Sequence, residues 1–129
     1  MKLLDTCVWI EVIAGSALGL RFKKLATDKQ NILTSSLVQF ELRRWALREL
    51  TEARADDVVI ALREAIFVQT TEPIALLAAD LAREHKLHAM DALIYATALE
   101  HDAQLVTCDA RFKGLPQVDY SEKVVSKTK

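Results

Sequence analysis

The sequence predicts an α/β fold in which short strands, largely parallel, alternate with helices. Two observations carry this. Short apolar runs at residues 2–4, 31–34, 66–69 and 104–107 are separated by longer helical patterns, and that alternation marks βα units. Only three Gly and two Pro occur in 129 residues, too few for a turn-rich all-β chain. Parallel strands joined by right-handed crossovers put all their C-terminal ends on one edge of the sheet. Open α/β sheets bind their ligands at that edge.

Each element follows from local signals. Lys2–Leu4 is too short to read as a strand from its own periodicity, but its sequel supports it. Thr6 to Ala14 is an apolar-rich helical stretch ending at Gly15, a favoured C′ residue. Ser16 is placed to cap a second helix running through Ala26. Asn31–Thr34 is the second strand. Ser35 or Ser36 is a good N-cap for a helix from Leu37 to Leu50. A further helix is expected over Asp56–Ala65, with acids in its first turn. Ile66–Gln69 reads as the third strand. Thr70 or Thr71 then caps a helix beginning near Pro73, which suits a first turn, and reaching His85. Met90–His101 is nearly all apolar and is expected to be a buried helix. Gln104–Thr107 is the fourth strand, and Val118 belongs to a weak fifth.

Length supports one domain with one core over residues 1–129. The polar end, SEKVVSKTK at 121–129, is expected to fray. A net charge of −1 announces no global basic field, so any nucleic-acid contact must come from local patches. The two cysteines, Cys7 and Cys108, stand in no CxxC. No signal peptide or 18-residue apolar run is present, so the expectation is a cytoplasmic protein with free thiols and no membrane partner. GxxxxGK[ST], GxGxxG and GxSxG are all absent, which removes the nucleotide-loop and nucleophile-elbow readings. His85 and His88 straddle a helix end without Cys partners, a poor zinc pattern.

The chemistry lies in the acids. Asp5 follows the first strand and Asp109 the fourth. Asp91 is in the first turn of the buried helix, and Glu41 is in the second turn of the helix after the second strand. Singly, each has an ordinary role as turn former, cap or solvated helix residue. Together they reach one sheet edge. Two carboxylates ~5 Å apart at an effective dielectric of ~20 repel by roughly 3 kcal/mol. Four therefore require protonation or cations, and on this view Asp109→Asn should stabilise the metal-free protein. Hard oxygen donors favour Mg²⁺ or Mn²⁺ over Zn²⁺. Such a site suits phosphodiester hydrolysis.

Four segments, LLDTCVWIE at 3–11, SSLVQFEL at 35–42, MDALIYATAL at 90–99 and LVTCDARF at 105–112, together resemble a PIN-domain ribonuclease of the VapC toxin type. The resemblance implies a three-layer fold whose short, mostly parallel sheet of four to five strands is flanked by helices. It implies Mg²⁺- or Mn²⁺-dependent RNA cleavage, with Asp5, Glu41, Asp91 and Asp109 as the catalytic and metal-binding acids. Thr6 and Thr107 match supporting hydroxyl positions. A homodimer and a cognate antitoxin are further implications. Two departures stand out. Many relatives carry an acid where this chain has Arg111, which bears on a second metal. Cys7 occupies a position that is often Ser or Asn.

At about 100° per residue, Glu41, Arg44 and Arg48 share an arc of about 60° on their helix. Arg44 and Arg48 are thus candidates to hold RNA phosphates, with Arg111 and Lys113 as further ones. Their alternative is pairing with Glu41 or Glu49. Phe40 and Leu47 form a second apolar strip, for core packing or for a dimer or antitoxin contact. Trp9 and Trp45 read as core. Two other classes stay open. One is a PIN-like RNA- or protein-binding module without catalysis. The other is a phosphoacceptor receiver domain, although Thr70 and Thr71 stand where its second Asp belongs.

Overall fold

The computed structural model of the protein describes residues 1–123. Five strands form one sheet in the order β3-β2-β1-β4-β5: β1 (Lys2–Leu4), β2 (Ile32–Ser35), β3 (Ile66–Val68), β4 (Gln104–Thr107) and β5 (Val118–Tyr120). Every neighbouring pair is parallel, with Lys2 opposite Ile32 on one side and Gln104 on the other. Among the described residues six α-helices flank the sheet: α1 (Thr6–Ala14), α2 (Ala17–Thr27), α3 (Ser36–Glu49), α4 (Glu52–Leu62), α5 (Glu72–His85) and α6 (Ala89–Glu100). They pack as consecutive pairs, α1 on α2, α3 on α4 and α5 on α6.

The chain steps from β1 outward to β2 and β3, then returns to place β4 on the other side of β1. The topological switch point therefore lies between β1 and β4, where an open α/β sheet has its ligand crevice. β1, β2 and β4 are flanked on both sides and read as buried runs, as interior parallel strands should. Leu3, Leu4, Ile32, Leu105 and Val106 are all fully buried. Around them a single apolar cluster includes Val8, Val38, Leu42, Ile74, Ile94 and Phe112.

Several termini form as expected. Gly15 adopts φ +68°, and its N–H returns to the carbonyls of Glu11 and Val12. Ser16 Oγ accepts the Gly19 N–H at 2.9 Å, and Thr71 Oγ1 accepts the Ile74 N–H at 3.5 Å ahead of Pro73. Two expectations need correction. First, α4 starts at Glu52 rather than Asp56, because Thr51 Oγ1 caps the Arg54 N–H at 3.1 Å; the cap outranks the acidic pair as the start signal. Second, Ser35 has the extended backbone of an N-cap, but its buried hydroxyl makes no hydrogen bond. The fifth strand expected at Val118 is present as β5, and Ser121 just beyond it donates its N–H to the Thr107 carbonyl at 2.9 Å. The expected frayed end thus begins tied to β4, and residues 124–129 lie outside the described residues.

Candidate active site

The helix starts after β1 and β2 decide where the first two acids stand. Asp5 has φ −65° and ψ 157°, the extended geometry of an N-cap, and its Oδ1 accepts the Thr6 N–H at 2.8 Å. The ordinary capping role is therefore real, and it fixes the carboxylate at the carboxyl end of β1. Asp5 Oδ2 faces β4 and accepts the Thr107 hydroxyl at 2.7 Å, a bond across 102 residues of chain. Thr107 Oγ1 in turn accepts the Asp109 N–H at 3.0 Å. Thr6, the first residue of α1, donates its hydroxyl to Glu41 Oε1 on α3 at 2.7 Å. Asp109 opens a 3₁₀ turn (Ala110–Phe112) and accepts the Arg111 N–H at 3.0 Å.

Asp5, Thr6, Glu41 and Asp109 line one cleft of about 240 Å³ at the switch point. Its walls include Asp5, Glu41, Asp91 and Asp109 together with Thr6, Arg44, Arg48 and Arg111. All four sequence-predicted acids thus come together, and Thr107 lies directly behind Asp5. Lys113 does not join them; its ammonium stands 5.9 Å from the centre of the Tyr120 ring. Lys113 follows that 3₁₀ turn, two residues beyond Arg111. A larger groove of about 610 Å³ runs between α3 and α4. Among the described residues it carries the ion pair of Arg43 with Asp56 at 2.8 Å and no gathering of acids.

The four acids are not equivalent. Asp5 is 5% exposed. Burial, above all, pushes its carboxyl up to about 6 from the usual 3.8; the Asp91 and Glu41 charges add to the rise, while the Thr107 and Thr6 bonds oppose it. Burial also raises Asp91, against the pull of Arg111. For Asp109, burial acts upward but the Arg111 bonds outweigh it, so the group sits below its ordinary value. Arg111 Nε lies 3.2 Å from both Asp109 oxygens, its Nη2 is 3.0 Å from Oδ2, and its Nη1 is 3.4 Å from Asp91 Oδ2. Charge crowding is therefore relieved partly by a guanidinium of the chain itself. That corrects the expectation for Asp109→Asn, since removing this carboxylate breaks an ion pair rather than easing repulsion.

The donor set fits a hard divalent cation in its chemistry. The acids supply oxygen only, and among the described residues Asp5 forms no salt bridge. Among the described residues no three ligating side chains converge into a finished ion cage. Each acid is instead engaged by a neighbour. Glu41 is held by Thr6, Asp5 by Thr107, and Asp91 and Asp109 by Arg111.

Four wall or rim features were not legible as such. Trp45, expected in the core, is half-buried and lines the cleft, as does Ile10. Cys7, at the position that is often Ser or Asn, puts its Sγ 3.5 Å from Thr107 Oγ1 and 3.6 Å from Asp5 Oδ2. Arg111 was noted as a departure, but the two-residue spacing from Asp109 that makes the pair possible was the available signal. Arg44 stacks over Phe40 at 5.5 Å, and Arg48 pairs with Glu49 at 3.0 Å on an exposed surface. Phe40 and Leu47 are 53% and 47% exposed, which excludes their core reading.

A parallel sheet with carboxylates gathered at its switch-point edge defines the class: an α/β protein with an acidic ligand cleft. The model of the PIN domain family matches residues 2–117, and the chain belongs to that family. Membership sets aside the phosphoacceptor receiver alternative. Solved structures agree in fold. A toxin–antitoxin complex from Klebsiella pneumoniae contains a chain 26% identical, with TM-score 0.80, covering 95% of this chain and 100% of that one. VapC20 of Mycobacterium tuberculosis, a toxin that cleaves the sarcin–ricin loop, is 22% identical with TM-score 0.66, over 81% of this chain and 85% of that one. The DNA-bound VapBC of Salmonella typhimurium is 21% identical with TM-score 0.70, over 94% and 96%. The curated proteins compared with the chain include no match. Among the described residues no helix is long and apolar enough to cross a membrane.

Proposed function

We propose that the chain, as one PIN-like domain over residues 1–129, is a Mg²⁺- or Mn²⁺-dependent endoribonuclease and the VapC-type toxin of a toxin–antitoxin pair, acting in the cytoplasm. The observation that carries the reading is the meeting of Asp5, Glu41, Asp91 and Asp109 on the walls of one cleft at the switch point. Asp5 and Glu41 would hold the ion, with Asp91 and Asp109 completing its surroundings. When bound, Mg²⁺ or Mn²⁺ supplies polarisation of the phosphoryl group and activation of water. The chain's own residues do the rest. Thr6 and Thr107 hold Glu41 and Asp5 at fixed angles. Arg44 and Arg48 stand at the cleft where phosphates of a bound strand would run, and their guanidiniums suit that contact. Trp45 offers a half-buried indole beside them for a base to stack on.

The partners follow from the same likeness. The toxin–antitoxin complex among the similar structures supports a cognate antitoxin. The exposed Phe40 and Leu47 on α3 support a protein-covered face, for a homodimer or for that antitoxin. One observation favours the second reading, a PIN-like RNA- or protein-binding module without catalysis: Arg111 already engages Asp91 and Asp109.

Incubation of the purified protein with mixed RNA, with and without Mn²⁺, separates the two. Cleavage that vanishes on chelation and in Asp5→Asn is the expected result. RNA retained but uncut under every metal condition would establish the binding module instead.

A further inference from the structure

The acidic cleft has two chemically distinct halves. On one half, among the described residues, Asp5 and Glu41 receive hydrogen bonds only from neutral donors: the Thr6 N–H and hydroxyl, the Thr107 hydroxyl and the Cys7 thiol. On the other half, one guanidinium spans Asp109 and Asp91. It uses both oxygens of Asp109 and Oδ2 of Asp91, the same lone pairs that a cation on that side would need. Geometry alone assigns this partition.

Resting on the metal reading above, we infer that Arg111 is a resident counter-cation of the cleft. It competes with divalent ions for Asp91 and Asp109 and biases the site toward a single ion on the Asp5–Glu41 side. Arg111 is a positioning residue here, setting how many ions enter and how tightly. Its side chain is 51% exposed and sits on a short 3₁₀ turn, so it can swing aside without moving the sheet. With its guanidinium half exposed, solvent screening leaves the pair displaceable rather than a permanent plug.

The experiment is a Mn²⁺ titration of the full chain, followed by calorimetry and by the paramagnetic resonance of free Mn²⁺, on wild type, Arg111→Ala and Arg111→Lys. Removing a unit charge beside a divalent site should tighten Mn²⁺ binding at least about tenfold, or add a second ion, in Arg111→Ala. Arg111→Lys keeps a cation and should stay within about threefold of wild type. Without metal, Arg111→Ala should melt slightly lower than wild type, and Mn²⁺ should raise its Tm by more. Equal affinity and stoichiometry in wild type and Arg111→Ala would overturn the inference while leaving the metal site intact. Absence of Mn²⁺ binding to all three would overturn the metal reading of the cleft and this inference with it.

Discussion

Asp5 and Asp109 carry the same functional group in opposite settings. Asp5 is buried against neutral donors, and Asp109 is clasped by Arg111. Their Asn variants should therefore move the stability of the metal-free protein in opposite directions. Asp5 titrates near 6 in the folded chain against 3.8 ordinarily. The folded state thus binds its proton more tightly, and the cost of the charged form is fully present above about pH 6, relieved as pH falls toward about 4. A shift of this size is worth about 3 kcal/mol. Asp5→Asn should raise the Tm in EDTA at about pH 8, and the gain over wild type should shrink across that window. Asp109→Asn should lower it, by less than about 1 kcal/mol. Thermal melts of both variants from about pH 4 to 8 check the signs, and a stabilising Asp109→Asn would contradict the role given to Arg111. The positions of the acids were legible because each follows a strand or opens a helix. What holds each one was not, since hydrogen-bond partners such as Thr6 with Glu41 lie 35 residues apart and depend on packing.

The elements were legible wherever a cap or a breaker marks an end. Gly15, Ser16, Thr71 and Pro73 bound their helices as their chemistry requires. α4 was misplaced at its start because two acids at 56 and 57 imitate a first turn, whereas Thr51 supplies the actual cap. A constraint with no signal of its own is Gly19. The α1–α2 turn brings it so close to α1 that a Cβ there would lie 1.9 Å from the Glu11 carbonyl oxygen. Backbone cannot yield as a flexible side chain can. Gly19→Ala should therefore cost about 1–3 kcal/mol, the range for overpacking, read as a lower urea midpoint. Gly15→Ala tests a different effect, since nothing crowds that position and only its φ of +68° resists a side chain. On α3, the arc of Glu41, Arg44 and Arg48 was legible from helical spacing, and all three line the cleft. Replacing both arginines by Ala should weaken RNA binding and flatten its salt dependence by up to about two phosphate contacts. An unchanged slope would assign them to their contacts with Phe40 and Glu49 alone.

The assembled sheet explains why four distant acids meet. Strand order cannot be read from short apolar runs, because Lys2–Leu4 and Gln104–Thr107 carry no mark of being neighbours. Crossover rules confine the strand ends to one edge, and that was enough to place the acids on a common side. The return of the chain to the free side of β1 then opens the crevice between β1 and β4, which Asp5, Thr107 and Asp109 border. Binding a divalent ion there should stabilise the fold by mass action and lose strength as Asp5 protonates below about pH 6. Crystals soaked in Mn²⁺ and recorded at a wavelength where manganese scatters anomalously offer the plainest test. The expected map has a peak inside the cleft, about 2.0–2.3 Å from carboxylate oxygens that include Asp5. A map with no peak between Asp5, Glu41, Asp91 and Asp109 at millimolar Mn²⁺, from protein whose carboxylates are ionised, would contradict a metal-dependent nuclease.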